Sequence, residues 1–576
     1  MFTSPIDIVP FSDGGHGAAG KGGRKGRGGK GKGGGRGKGS GGSSSSPSPA
    51  LLTANLKNAQ SLDELFQHVA NHEALFNHIH LSACWNAIGH LAQADRRPWF
   101  DAHAAALEAL VARTTATVAA SAEIRARELA NIAHGVAKSG RGGAVGALMA
   151  ALARAIERRV ADCNAQELAN VAWAFAKAGV LDGALFAALA RAAERHLRNE
   201  MFKAQELANT AWGFATAGHA DAALFAALAR SIERRLGDFS VQGLTNTAWA
   251  FAKAAHVDAP LFLAMAAVAR QRVGDFGAQD VAHMAWAFAK LGQYHAELFA
   301  ALARAAQAHL ERFSVQGLAN TVWAFAKAGH LDDALFGAFA AAIARRAADF
   351  NAQDVSNAAW AFAKACHTDH RLFAALARAA ERCLDGFNAQ DCVNTAWAFA
   401  KLGELDGALF AAVARSLAAN GRLDELGAPR LANVAWAFAK ASLRDGPLFA
   451  ALARTAEARA ADFSAGDLAN IAWAFANAGV LDAQLFGALA RQAELLLDDF
   501  DDEALDNGEW AFARAGEQKV AKRLRQRRKR AASGGGAGAD AAAAVDVSGC
   551  GRIVVAGGGI GGAAAAAALQ RRGFDV

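Results

Sequence analysis

Apolar and polar positions repeat along most of this chain with a single period. The stretch NAQELANVAWAFAKAGVLDGALFAALARA, which begins at Asn164, returns in closely similar form from Ser240 and from Asn351. One unit upstream of the first Trp of the series His134 takes its position, and Trp85 marks a degenerate earlier unit. A fixed period of this size is the signature of a repeat array, so we predict about 11–12 units of 37 residues. The Trp recurs, mostly every 37 residues and twice after 39, at Trp173, Trp212, Trp249, Trp286, Trp323, Trp360, Trp397, Trp436, Trp473 and Trp510.

Each unit has the pattern of two helices. The first is predicted to start after a capping residue such as Asn164 and to end at a small residue such as Gly179. The second is predicted to start at an Asp nine residues after the Trp, as at Asp182, and a Phe such as Phe202 closes the unit. No strand pattern interrupts the array. The pattern therefore predicts an all-α fold, a right-handed αα solenoid.

Polar residues follow one edge of the first helix. With 100° per residue, Gln166, Asn170 and Lys177 all lie within about 60° of Trp173, while apolar residues such as Phe175 lie on the opposite side. Because stacked repeats present equivalent positions to the same side, we expect columns of amides and lysines along one surface. The predicted columns comprise Gln166, Gln205, Gln242, Gln279, Gln316, Gln353 and Gln390; Asn170, Asn209, Asn246, Asn320, Asn357, Asn394 and Asn433; and Lys177, Lys253, Lys290, Lys327, Lys364, Lys401 and Lys440.

Such columns suit a single-stranded nucleic acid, because lysines can neutralise phosphates and amides can bond base edges or sugars. The residue that follows the Gln varies between repeats, as in Glu167, Gly243 and Asp354, and base choice is predicted to reside there. Structural roles are open for each column. An Asn ladder can tie neighbouring repeats together, a Lys near a helix C-terminus favours the helix dipole, and the Trp suits packing between repeats better than base stacking.

Charge is unevenly distributed. The net charge is +7, yet residues 1–50 carry +6 and residues 514–530 carry +8, which leaves −7 for residues 51–513. The basic tails suggest an anionic partner, whereas the repeat region as a whole does not. No repeated pair of carboxylates and no nucleophile–base arrangement occurs in the array, so we predict that the protein is not an enzyme.

A glycine motif occurs near the C-terminus. A predicted strand over residues 552–556 precedes Gly557, Gly559 and Gly562, the spacing of a dinucleotide-binding turn, but the chain stops before the acidic residue that would bind the ribose. We therefore predict an incomplete site and no cofactor, with FAD bound only if a longer chain completes the domain.

The predicted segments are a disordered Gly/Lys/Arg/Ser-rich segment (1–50), a degenerate N-terminal helical repeat or cap (51–125), the solenoid (126–516), a basic helix with a Gly/Ala linker (517–550) and a truncated GxGxxG fragment (551–576).

The units QELANVAWAFAKAG…LFAALARA resemble the helical repeats of organellar RNA-binding proteins. These are the heptatricopeptide and octotricopeptide families, the leucine-rich region of FAST-kinase-type proteins, and the repeat domain named for an RNA-editing substrate-binding complex protein. The resemblance implies single-stranded RNA and other RNA-processing proteins as partners, and a role in the processing, stability, translation or editing of mitochondrial or plastid RNA. A cytoplasmic or nuclear location is the alternative. Separately, we predict no membrane association, because Arg or Lys interrupts the apolar helices every few turns, and we predict a monomer.

Two other functions are open. The array could be a protein-interaction scaffold of the armadillo or HEAT type. The C-terminal fragment is similar to the opening of FAD-dependent monooxygenases, so the array could also be the repeat extension of such an enzyme in a longer chain.

Overall fold

The computed structural model describes residues 48–91, 97–140, 145–419 and 421–534, and Gly557, Gly559 and Gly562 lie outside these ranges. The described residues contain 27 α-helices and no strand, which confirms the predicted all-α solenoid. The chain divides into two compact units, residues 1–426 and residues 427–576.

The first unit opens with an irregular group of helices. Trp85 lies in the third of them, and its indole N–H donates to Thr114 Oγ1 at 3.0 Å in the fifth. The third and fifth helices pack against the first and second helices of the repeat that follows, as members of a repeat do. The helices are α1 (Pro49–Asn58), α2 (Leu62–His72), α3 (His78–Leu91), α4 (Arg97–Ala102) and α5 (Ala104–Ala120).

Eight helical hairpins follow in the first unit. Their first helices pack on the first helices of neighbouring repeats more closely than second helices pack on second helices. The pairs are α6 and α7 (Ala126–Lys138, Gly146–Glu157), α8 and α9 (Ala165–Lys177, Gly183–Arg198), α10 and α11 (Ala204–Thr216, Ala222–Glu233), α12 and α13 (Val241–Lys253, Ala259–Arg272), α14 and α15 (Ala278–Lys290, Ala296–Ala308), α16 and α17 (Val315–Ala328, Asp333–Arg346), α18 and α19 (Ala352–Lys364, His370–Cys383), and α20 and α21 (Ala389–Leu402, Gly407–Ala418).

The described residues of the second unit contain two further hairpins and a final pair of helices. The pairs are α22 and α23 (Ala428–Lys440, Gly446–Ala458), α24 and α25 (Ala465–Asn477, Ala483–Leu495), and α26 and α27 (Asp502–Arg514, Gln518–Gly534). The two helices of the final pair, α26 and α27, pack along each other more closely than the two helices of a hairpin do.

The predicted caps set the ends of the helices. Asn164 Oδ1 accepts the N–H of Glu167 at 2.9 Å, and Asp182 Oδ1 accepts the N–H of Leu185 at 3.0 Å. Gly179 adopts φ +68° and the next N–H bonds back to the carbonyl of Phe175 at 3.0 Å, which is the Schellman arrangement that ends a helix. The capped Asp recurs as Asp182, Asp221, Asp258, Asp332, Asp369, Asp406, Asp445 and Asp482.

First helices approach each other almost to backbone contact. A Cβ on Gly213 would lie 2.7 Å from the carbonyl carbon of Ala172 in the preceding repeat, so only glycine fits there at the present spacing. Most other repeats have Ala at these two positions, and the Ala side chains are buried. The abundance of Ala therefore reflects this close approach.

Second helices are joined by an arginine that the sequence analysis did not identify. Arg272 Nη1 donates to the carbonyl of Phe239, and Arg346 Nη1 donates to the carbonyl of Phe313, both at 2.6 Å. Each acceptor closes a short 3-10 turn at the end of the preceding unit, which satisfies a carbonyl that the helix leaves open. Arg235, Arg382 and Arg422 bond to the equivalent region of their preceding units.

The C-terminal basic run forms a helix that covers the last repeat. Helix α27 buries Leu524 beside Gly508 of α26. Glu509 replaces the Ala that precedes the Trp in most repeats, and Arg525 Nε donates to Glu509 Oε1 at 2.5 Å while Arg528 lies 2.9 Å from Oε2. The run is therefore a terminal helix whose cations partly pair with the repeat it covers.

Candidate nucleic-acid interface

The Gln, Asn, Trp and Lys columns are here called the polar edge. Three pairs of neighbouring Trp rings of this edge are in contact within the first unit. Ring centroids lie 6.3 Å apart for Trp173 and Trp212, and again for Trp212 and Trp249. The distance is 6.2 Å for Trp323 and Trp360. Such spacings are typical of packed aromatic pairs and leave no room for a base between rings, so the Trp column is a packing element, as predicted.

Lysines lie beside the Trp column, whose contacting rings are here called the aromatic ladder. Lys327 Nζ lies 5.7 Å from the ring centroid of Trp323, and Lys401 Nζ lies 4.9 Å from that of Trp397. Each ring belongs to the same helix, one turn before the lysine, and holds the cation at the edge.

Successive lysines are close enough to repel each other. Burial and then the neighbouring cation of Lys327 lower the pKa of Lys290, and burial and then Lys364 lower the pKa of Lys327. In the described residues no carboxylate forms an ion pair with Lys177, Lys327, Lys364, Lys401 or Lys440. These five lysines therefore carry positive charge that no carboxylate of the described residues pairs with.

The Asn column is partly used for packing between repeats. Asn320 and Asn357 are buried, and Asn357 Nδ2 lies 3.4 Å from Asn320 Oδ1. Asn394 is half-buried, with Nδ2 3.4 Å from Ser356 Oγ, and its Oδ1 accepts from Gln390 at 3.1 Å. These contacts join neighbouring repeats, which is the scaffold role that the sequence left open.

Other amides remain available. Asn170, Asn209, Asn246 and Asn433 are half-buried and make no side-chain hydrogen bond within the described residues. Gln166, Gln205, Gln242 and Gln279 are exposed, whereas Gln316, Gln353 and Gln390 are half-buried. The lysines Lys364 and Lys440 are exposed, whereas Lys177, Lys253, Lys290, Lys327 and Lys401 are half-buried.

The prediction that base choice resides after the Gln is wrong for three repeats. Glu167, Asp354 and Asp391 are buried at the third position of their helices, where each carboxylate bonds the backbone N–H of the capping residue. Burial raises the pKa of Asp354 to about 6. The sequence analysis did not recognise the capping function of these carboxylates.

Two substitutions in the lysine column bind the preceding repeat instead. Asn477 Nδ2 donates to the carbonyl of Ala439, and Arg514 Nε donates to the carbonyl of Ala476, both at 3.1 Å. The last lysine position of a helix thus lies beside the open carbonyls of its neighbour. The replacement of Lys by Asn477 and Arg514 in these two repeats was the sequence feature from which this role could have been predicted.

Fold and edge together define the class: an α-solenoid protein made of 37-residue helical hairpins with a cationic, amide-bearing edge. A family model described as RNA-editing substrate-binding complex 6 protein matches residues 123–446, more than half of the chain. The chain belongs to this family.

Comparisons with other proteins add little to this assignment. No curated protein matches the sequence. Among solved structures, the chain is similar to one described as a homology model of the full-length AP-3 complex in an intermediate open conformation, at 8% identity and a TM-score of 0.31, over 84% of this chain and 97% of that one. It is also similar to a circular tandem repeat protein with novel repeat topology, at 14% identity and a TM-score of 0.15, over 84% and 96% of the two chains. Scores this low do not establish a shared fold.

Two further features of the described residues bear on function. Each of their helices is too short or too polar to cross a bilayer. They contain no cluster of three His, Cys, Asp or Glu side chains arranged to hold a metal ion.

Proposed function

We propose that this protein binds single-stranded RNA along the polar edge and acts in RNA editing as a non-enzymatic member of a substrate-binding complex. Membership of the RNA-editing substrate-binding complex 6 family supports the role in editing. The lysine column supports the ligand, because those of its lysines that have no carboxylate partner in the described residues can contact the phosphates of a polyanion.

The positive charge of the lysine column is the main support for RNA binding. Burial, and then a neighbouring cation, lowers the pKa of Lys290 and of Lys327, so these two lysines hold their positive charge at a cost that a row of phosphates would relieve. Lys327 and Lys364 have no carboxylate partner in the described part of the chain, although the region 51–513 is acidic overall. Charge of one sign is thus concentrated on one edge of an otherwise acidic array, as electrostatic binding of a nucleic acid requires.

Amides would bind the nucleotides themselves. The exposed side chains of Gln166, Gln205 and Gln242 lie on the same edge as the lysines, towards the start of each first helix. In this arrangement phosphates contact the lysines while sugars or base edges contact the amides. Bases do not insert into the aromatic ladder, because its rings already contact each other.

RNA editing in this family favours a mitochondrial location, with plastids as the other organelle that the repeat resemblance implies. RNA-processing proteins are expected as additional partners, since the family is described as part of a complex.

The first test separates the solenoid from the basic tail. Binding of a labelled 20-nucleotide single-stranded RNA is measured by fluorescence anisotropy with the full chain and with a full chain in which the eight Lys and Arg of residues 1–50 are replaced by Gln. We expect both proteins to bind, with affinity that falls as salt rises. Loss of all binding in the tail variant would contradict the proposal. Crosslinking in cells followed by sequencing of the attached RNA then identifies the transcripts.

A further inference from the structure

A second column of exposed residues lies on the loops that join the two helices of each hairpin. Large apolar side chains recur there, at the residue before the N-cap, in five of the seven loops between residues 180 and 408, and are between 45% and 62% exposed. The N-cap is Asp in four of these five loops and His295 in the other, and Ala220 and Thr368 have this position in the remaining two loops. Leu481 has the same position and a similar exposure in the second unit. We call the members in the first unit the loop ridge: Leu181, Val257, Tyr294, Leu331 and Leu405.

Local structure accounts for only part of this apolar surface. A residue before an N-cap can pack on the fourth residue of its helix as a hydrophobic staple, which for Leu181 is Phe186. Phe186 is fully buried, yet Leu181 keeps 62% of its surface exposed. Large apolar side chains repeated on one side in this way are typical of an interaction surface.

Contacts beside the ridge join several neighbouring hairpins of the first unit. The ring of His219, on one loop, stacks on Phe186 of the preceding hairpin with centroids 5.0 Å apart. Further along, His367 Nδ1 lies 3.7 Å from Asp333 Oδ1, and His370 Nδ1 lies 2.6 Å from Glu404 Oε1. These loops therefore lie along one edge.

This edge is acidic. The seven loops from residue 180 to residue 408, each counted with the first two residues of its second helix, carry nine carboxylates against the single cation of Arg371. Of these carboxylates, Glu297 pairs with Arg270 of the preceding second helix, which lies outside the counted segments. The N-cap carboxylates accept a backbone N–H, as Asp332 Oδ1 does from Leu335 at 2.7 Å. The carboxylates are Asp182, Asp221, Asp258, Glu297, Asp332, Asp333, Asp369, Glu404 and Asp406.

We propose that the loop ridge binds a basic amphipathic helix of a partner protein. Apolar side chains of such a helix would cover the ridge, and its lysines or arginines would meet the flanking carboxylates. RNA is disfavoured here, because carboxylates repel phosphates and most of the ridge is aliphatic. The chain's own basic segment at residues 14–50 does not fit, because it has no large apolar residue.

Helix α27 shows the same chemistry inside this molecule. It buries Val520 and Leu524 against the last repeat while its cations pair with acids such as Glu494 and Glu509. An apolar and acidic helical surface of this array thus binds a basic amphipathic helix already.

The test uses the full chain and a labelled 18-residue helical peptide of leucine and lysine, with a leucine–glutamate peptide of the same pattern for comparison. In the ridge variant Leu181, Leu331 and Leu405 are changed to Ser. In the matched control three equally exposed apolar residues of the first unit outside the ridge are changed to Ser: Leu75, Met201 and Leu263. A second variant, with Glu297→Gln, Asp333→Asn and Glu404→Gln, removes charge without touching an N-cap. It also removes the pairs of these carboxylates with Arg270, His367 and His370, so its unfolding midpoint is compared with that of the wild type.

We expect the lysine peptide to bind the wild-type chain and the control equally, and to bind the ridge variant on the order of tenfold more weakly. The charge variant should show a loss of several-fold that shrinks at high salt, and the glutamate peptide should not bind. Equal binding to all the proteins would overturn the proposal, as would a ridge variant that loses RNA binding and retains peptide binding. RNA binding that is unchanged in the ridge variant is expected, and it separates this interface from the polar edge.

Discussion

Removal of four adjacent lysines tests the polar edge directly. The variant changes Lys290, Lys327, Lys364 and Lys401 to Gln, which keeps a polar side chain at each position and removes the cation. All four lie at or near the end of a first helix, where the side chain is half-buried or exposed and no core is disturbed. Lys327 and Lys401 lose a cation–aromatic contact that contributes roughly 0.5–1 kcal/mol each, so only a small loss of stability is expected.

The effect on RNA binding follows from counterion release. Each cation that contacts a phosphate contributes about 0.7 to the slope of log affinity against log salt for a single strand, so four give a slope smaller by about 3. Extrapolated from 1 M to 0.1 M salt, that slope corresponds to a loss on the order of several hundred-fold. Fluorescence anisotropy at four or more salt concentrations gives the slope for each protein.

The matched control changes four exposed arginines on second helices to Gln, at Arg191, Arg230, Arg304 and Arg378. It removes the same charge from another part of the first unit. We expect its salt slope to equal that of the wild type. A lysine variant with an unchanged slope, or an equal reduction in both variants, would refute binding along the polar edge.

Three further predictions concern stability. A carboxyl whose pKa is raised by burial binds its proton more tightly in the folded state, so the contribution of Asp354 is complete below about pH 4 and is lost as pH rises through about 6. Asp354→Asn should therefore raise the free energy of unfolding at pH 7.5 by up to about 3 kcal/mol, which is measured as a higher midpoint of thermal unfolding. At pH 4 the substitution should have little effect. Gly213→Ala should destabilise the chain by roughly 1–3 kcal/mol because the new Cβ meets backbone, whereas Gly337→Ala, with open space, should stabilise it by about 0.5–1 kcal/mol in denaturant unfolding. Arg525→Ala should leave buried Glu509 with one cation fewer and speed proteolytic removal of the terminal helix.

Each of these has a result that would contradict it. A pH-independent effect of Asp354→Asn would exclude titration of that carboxyl as the cause. Equal stability of the two glycine variants would show that first helices separate at little cost. For the terminal helix the control is Lys522→Ala, since Lys522 is exposed and makes no ion pair in the described region; equal proteolysis of both variants would show that the pairing with Glu509 does not hold the helix.

Much of the polar edge followed from spacing alone. The repeat of Trp fixed which residues are equivalent, and the 100° rotation per residue placed Gln166, Asn170 and Lys177 on one side. This reasoning could not predict which of these polar side chains are buried, because their burial depends on how closely neighbouring helices pack. Asn320 and Asn170 are equivalent in sequence, yet only Asn320 meets the amide of the next repeat and is buried.

The position after the Gln shows the same limit. Variation among Glu, Asp and Gly suggested a reader of bases, but the structure turns Glu167 and Asp354 back onto their own helix ends. The sequence contains the capping pattern, an acidic residue three positions after Asn164 and after Asn351. This general pattern could have predicted that Glu167 and Asp354 bond the backbone at the start of their helices.

The sequence by itself determined the helices, their caps and the period, because capping, turn formation and helical periodicity are local and each unit repeats them. Tertiary structure decided which polar side chains face solvent, how Arg272 and Arg346 join successive units, and that α27 covers the last repeat with Glu509 paired to its arginines. Those outcomes depend on residues more than 15 positions apart meeting at distances that only packing sets.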